Sequence, residues 1–173
     1  MISGINWSNE NPLEQSAWDI YQHFGGCIIM SHLGAEVTNE IRRRRPDSLI
    51  IGRLFRNGGD LPEPKDAVDE WTEYIDNTLL DCYQVDNEPD ENYPNVSAEE
   101  FSVWWIRVTN LLRMMYPTIN WGFPMPSVKG ELSLDYIGRC KTAIVAADWI
   151  AERGYWQEEW QMESWHWGKR YQR

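Results

Sequence analysis

The sequence predicts an α/β fold organised around a parallel sheet, and three observations lead there. Short apolar runs alternate with amphipathic helical stretches six times along the chain. Two of those runs, over residues 26–31 and 48–55, are nearly continuous rather than alternating, as in strands covered on both faces. Glycines and prolines mark most of the junctions between runs. A strand followed by a helix, repeated six times, lays helices over a parallel sheet with right-handed crossovers.

Residues 2–7 form a first strand. Asn11-Pro12 opens a helix over 12–24, in which Leu13, Ala17, Ile20 and Phe24 recur at helical spacing before Gly25-Gly26 ends it. The second strand is 26–31. A second helix over 34–45 carries Arg42 to Arg45 in its last turn, where cations suit the helix dipole, and stops before Pro46. The third strand is 48–55. A loop rich in Gly, Pro and Asp follows, then a helix over 65–80 with Val68, Trp71, Ile75 and Leu79 on one face.

Cys82-Tyr83-Gln84-Val85-Asp86 is the fourth strand, and the chain leaves the sheet at Asn87-Glu88, because Pro89 cannot donate to a ladder. Ser97-Ala98-Glu99-Glu100 is a capping box, and Phe101, Trp104, Val108, Leu111 and Met115 form the stripe of the helix it opens. A strand over 118–126, a helix over 132–146, a sixth strand over 148–156 and the start of a sixth helix complete the chain. The whole length, 1–173, reads as one domain.

Two architectures fit this order: an open doubly wound sheet, or part of a (β/α)8 barrel. A dinucleotide-binding sheet needs G-x-G-x-x-G in its first turn, and neither Gly25-Gly26 nor Gly58-Gly59 has that spacing. No Walker motif is present, and no cofactor is expected.

The net charge of −11 argues against nucleic acid and against an anionic membrane surface as partners. No apolar run reaches the length of a membrane span, and the first residues lack the pattern of a signal peptide. A soluble protein of unassigned location is expected. Cys27, Cys82 and Cys140 are far apart and set among apolar neighbours, so they are expected as buried free thiols. His23, His32 and His166 share no ligand spacing, and no metal site is expected. The 11 tryptophans against 4 phenylalanines exceed what a core alone calls for, and flat indoles at a cleft suit stacking on sugar rings.

Asn87-Glu88-Pro89 at the end of the fourth strand resembles the Asn-Glu-Pro signature of the clan A (β/α)8-barrel glycoside hydrolases. Arg153-Gly154-Tyr155-Trp156 is similar to that family's sixth-strand segment, commonly His-x-Tyr-Trp, with Arg153 where histidine is usual. Phe123-Pro124-Met125-Pro126-Ser127 resembles the exit of its fifth strand, and Trp165 to Tyr171 the helix after strand six.

The resemblance implies that Glu88 is the general acid/base, protonating the departing glycosidic oxygen and later deprotonating water. It implies that Asn87 binds the sugar 2-hydroxyl, and that Trp7, Trp121, Arg153, Tyr155 and Trp156 line the subsites. The family's nucleophile is a glutamate at the end of strand seven. This chain reads as an incomplete barrel of about six parallel strands that stops before that strand. Retaining hydrolysis therefore awaits a second carboxylate from a partner chain or a nearby loop. Glu10, Glu152, Glu158, Glu159 and Glu163 are present, but none stands in the nucleophile's motif. Open edges at the first and sixth strands invite association of two copies. The alternative is a non-catalytic protein that keeps the partial barrel for glycan binding or assembly.

Overall fold

The computed structural model describes residues 4–7, 18–19, 21–23, 25–56, 58–78, 80–124, 126–127 and 131–151. Six strands form one sheet: β1 (Gly4–Trp7), β2 (Gly26–Met30), β3 (Leu49–Leu54), β4 (Cys82–Val85), β5 (Asn120–Phe123) and β6 (Trp149–Ile150). They lie in sequence order, every neighbouring pair is parallel, and β1 and β6 stand at the two ends. This is the α/β, incomplete TIM-type arrangement of about six parallel strands that the sequence predicts.

A 3-10 turn (Ser31–Leu33) leads from β2 into α1 (Gly34–Arg44); α2 (Pro64–Thr78) follows β3, and α3 (Pro89–Asn92) and α4 (Ala98–Met115) follow β4. After β5 come α5 (Glu131–Arg139) and α6 (Lys141–Ala146). Of the helix expected over 12–24, only Trp18, Asp19 and Tyr21 are described as helical, and most of the rest lies outside the described residues. The Arg42–Arg45 run is structural: Arg43 and Arg44 bond Glu40, and Arg44 lies over the Trp18 ring at 4.1 Å.

The helices bury the faces that their spacing selects. Val37 and Ile41 of α1 and Val68, Trp71 and Ile75 of α2 are all buried. In α4 the capping box forms in both directions between Ser97 and Glu100. Its stripe differs from the expected one past Val108. Leu112 is buried, whereas Leu111 only packs against the core and Met115 is half exposed. A 3.6-residue period that starts at Phe101 and passes through Trp105 and Val108 arrives at Leu112.

The single helix expected over 132–146 is two. The break comes at Cys140, whose Sγ lies 3.3 Å from the Ala98 carbonyl, while the Ala143 N–H donates to Ser102 Oγ at 3.3 Å. Bending there lets both halves follow the surface of α4. All three cysteines are free and buried, as expected.

The two faces of the sheet separate by parity. Tyr83, Val85, Trp121 and Phe123 belong to the core beneath the helices, where Tyr83 meets Tyr74 of α2 and Phe123 meets Phe101 and Trp105 of α4. The alternate positions, Arg53, Gln84 and Gly122, stand side by side in register on the inner face. No helix among the described residues is long and apolar enough to cross a membrane.

Candidate functional site

The polar groups concentrate where β4 ends. The strand's last ladder bond runs from the Asp86 N–H to the Leu54 carbonyl at 2.8 Å. Two non-glycine residues then take left-handed backbone angles, Asp86 at φ 71° and Glu88 at φ 36°. Such angles are uncommon outside glycine and persist where surrounding contacts impose them.

Those contacts are visible. Asp86 is fully buried, and its Oδ1 accepts the Asn87 N–H at 2.6 Å while its Oδ2 accepts the Tyr93 hydroxyl at 2.5 Å. Gln84 Nε2 donates to the Asp86 carbonyl at 2.7 Å, and the Asn92 side chain donates to the Asn87 carbonyl. Burial pushes the Asp86 carboxyl up to about 6, against the opposing pull of the Tyr93 and Asn87 bonds and of the nearby Arg56. Burial likewise raises the Tyr93 hydroxyl, with Asp86 adding to the shift.

Pro89 then starts α3, a one-turn helix beyond the point where the sequence places the chain's exit from the sheet. Proline at the first helical position followed by Asp90 and Glu91 was its signal. The helix turns the chain back beneath Glu88, whose carbonyl accepts the Glu91 and Asn92 N–H groups at 3.0 and 2.9 Å.

Glu88 itself is half-buried at the sheet's carboxyl end, and Asn87 Nδ2 reaches its Oε2 at 3.3 Å. Asn87 is 7% exposed, and its Oδ1 has no hydrogen-bond partner among the described residues. Gln84 Oε1, on the inner face below, is likewise buried and unmatched. Unmatched buried acceptors are uncommon and suit a ligand or a water that donates.

The other expected site residues divide. Trp121 is not a cleft residue. It is wholly buried under the helices, stacked on Tyr83 at 5.8 Å and tilted against Tyr116 at 6.4 Å. The physical reason is parity, since Trp121 shares the helix-facing side of β5 with Phe123. Trp7 ends β1, but its side chain lies outside what is described. Arg153, Tyr155 and Trp156 also lie outside the described residues.

The structure supplies an indole that the sequence reading missed, Trp149 of β6. A Cβ on Gly122 would lie 2.3 Å from its ring, so the ring lies across Gly122 on the inner face. A glycine between Trp121 and Phe123 was the available signal, because it leaves space for a neighbour's ring. Arg53, Gln84 and Trp149 thus come from β3, β4 and β6 in neighbouring registers of the inner face, with Gly122 of β5 between the last two. Among the described residues no group of three or more His, Cys, Asp or Glu is arranged to hold a metal ion.

No family model matches this sequence, and no curated protein does. Among solved structures the chain is similar to a psychrophilic glycoside hydrolase family 10 endo-β-1,4-xylanase, with 10% identity and a TM-score of 0.55. That likeness covers 90% of this chain and 64% of the xylanase chain. The chain is also similar to active domain 2 of a thermostable chitinase from Pyrococcus furiosus, in crystal structures of catalytic-site mutants complexed with chito-oligosaccharides. The identity there is 9% and the TM-score 0.50, over 82% of this chain and 55% of that one. At such identities the likeness is one of fold. This chain shares its α/β, parallel-sheet arrangement with glycoside hydrolases and spans less than two thirds of their length.

Proposed function

We propose that this chain acts on or binds a carbohydrate through the end of β4, with Glu88 as general acid/base and Asn87 as the sugar-hydroxyl ligand. The observation that carries the reading is the Asn87–Glu88 pair at the carboxyl end of a parallel strand, where α/β barrels hold their chemistry. A left-handed Glu88 backbone, a buried Asn87 Oδ1 without a partner among the described residues and the 3.3 Å contact between the two side chains support it.

In this reading the chain carries a clan A glycosidase-like (β/α) arrangement. Glu88 in its protonated form donates to the glycosidic oxygen as the bond breaks, and its carboxylate then takes a proton from the incoming water. Retaining hydrolysis also needs a nucleophilic carboxyl roughly 5 Å away. A second chain paired at an open sheet edge, or another segment, supplies it. Trp7, Arg153, Tyr155 and Trp156 are proposed to border the subsites, together with Trp149.

The test is release of the aryl alcohol from a panel of aryl glycosides, wild type against Glu88→Gln. Turnover that falls at least a hundredfold in the variant supports the enzyme. No turnover in the wild type leaves the second reading, glycan binding without cleavage. Xylo- and chito-oligosaccharides are the first ligands to try, in view of the proteins that share the fold.

A further inference from the structure

We propose that Asp86 is a positioning residue for Glu88: its buried carboxylate fixes the peptide between Asp86 and Asn87, one residue ahead of Glu88, by gripping the Asn87 N–H and the Tyr93 hydroxyl together. What the turn does rests on the carbohydrate reading above; how it is held rests on geometry alone.

A left-handed residue at the end of a strand is ordinarily glycine or asparagine, which take that conformation at little cost. Aspartate at 86 adds a buried charge to the same backbone, and no cation bonds it directly. Its close partners among the described residues are the Asn87 amide and the Tyr93 phenol, at 2.6 and 2.5 Å, with the Asn92 side chain nearby. The charge of Arg56 lowers its affinity for a proton, and Arg56 is itself ion-paired to Glu70. Tyr136 and Asp90 stand in the same field. Folding alone does not ask for a carboxylate here. A carboxylate suits the turn, because one oxygen accepts the Asn87 N–H while the other accepts the Tyr93 hydroxyl.

The bonds form a chain of constraint. Tyr93 is wholly buried, and its ring stacks on Phe101 at 6.1 Å, so its hydroxyl is anchored in the core of α4. Asp86 Oδ2 is fixed by that hydroxyl, Oδ1 then fixes the Asn87 N–H, and Asn92 fixes the carbonyl of the same residue. Asn87 is thereby held at both of its backbone polar groups, and the direction in which Glu88 leaves is set. The ionised carboxylate accepts both donors, and with burial raising the carboxyl to about 6 that form prevails at neutral pH.

The test compares the full-length wild type with Asp86→Ala/Tyr93→Phe and with Asp86→Asn at pH 7.5. The double variant removes the acceptor and the hydroxyl together, so the phenol is not left orphaned in the core and only the Asn87 N–H loses its acceptor. Asparagine keeps an acceptor and tolerates the backbone angle. Amide hydrogen exchange reads the turn, and thermal unfolding reads the fold. The expected result is a fall of at least tenfold in Asn87 protection in the double variant, unchanged protection in the middle of α4, and recovery of most of the loss in Asp86→Asn. Where the wild type turns over a glycoside, kcat falls at least tenfold in the double variant with KM unmoved. Unchanged Asn87 protection overturns the inference, and so does loss of protection spread evenly over β4 and α4. A wild type without turnover counts against the enzyme reading alone, since the exchange data decide the positioning role by themselves.

Discussion

The Asp90 carboxylate receives two hydrogen bonds from Ser127, one from its backbone N–H at 2.7 Å and one from its hydroxyl at 2.9 Å. The pair ties the segment after β5 to the one-turn helix that follows Glu88. It joins the Asn87-Glu88-Pro89 stretch to the Phe123 to Ser127 stretch, which lie far apart in sequence. Charge-assisted bonds of this kind are worth about 1.5–3 kcal/mol each. Asp90→Ala is expected to lower stability by about 3 kcal/mol, and Ser127→Ala, which keeps the backbone bond, by about 1.5 kcal/mol. Urea unfolding of the three proteins checks the order, and equal loss in the two variants contradicts it.

Trp121 separates core from cleft. Its ring is wholly buried between Tyr83 and Tyr116. Trp121→Ala is expected to cost about 3–5 kcal/mol, as large aromatic truncations in cores do. Trp121→Phe, which keeps most of the volume, is expected to leave carbohydrate affinity within about twofold, because no open ring face is lost. A fluorescence titration of that variant checks the second point, and a tenfold loss of affinity overturns it.

Gly122 makes the complementary prediction on the inner face. A methyl group there meets the Trp149 ring at 2.3 Å, well inside contact distance. Gly122→Ala is expected to displace that ring, to cost about 1–3 kcal/mol by overpacking and to shift the indole emission. Unaltered stability and emission together contradict the placement of Trp149.

Asp86 gives stability a pH dependence whose sign is fixed. Its carboxyl sits near 3.8 by ordinary measure and near 6 in the folded protein. Between about pH 4 and pH 6 the native state holds a proton that the unfolded chain has released. The contribution of this group therefore falls as pH rises through that window, by up to about 3 kcal/mol, and is level above it. Asp86→Asn carries no such proton and lacks the slope. Unfolding of both proteins at pH 4 and pH 7 measures the difference, and parallel behaviour rules the effect out.

Much of the fold was legible because the signals for it are local. Continuous apolar runs at 26–31 and 48–55, the Ser97-Glu100 capping box and Pro46 each act over a few residues, and the strands and helices fall where they indicate. Asn87-Glu88 at the end of β4 was legible for the same reason, as Pro89 ends the ladder. What was not legible depends on direction in three dimensions. Whether Trp121 faces helices or hollow is a question of parity, answered by Phe123 and Gly122 beside it. That Asp86 turns inward to Tyr93, seven residues on, depends on a left-handed angle that no pattern of residue types announces. The break at Cys140 follows from the surface of α4, which a helix's own periodicity does not contain.

The central claim is that the end of β4 receives a sugar. Its most direct measurement is a titration of intrinsic tryptophan fluorescence with a panel of oligosaccharides, in the wild type and in Asn87→Ala. The account predicts saturable binding to at least one oligosaccharide, weakened tenfold or more in a variant whose melting temperature is retained. Saturable binding that Asn87→Ala leaves unchanged, or no response to any member of the panel, contradicts it.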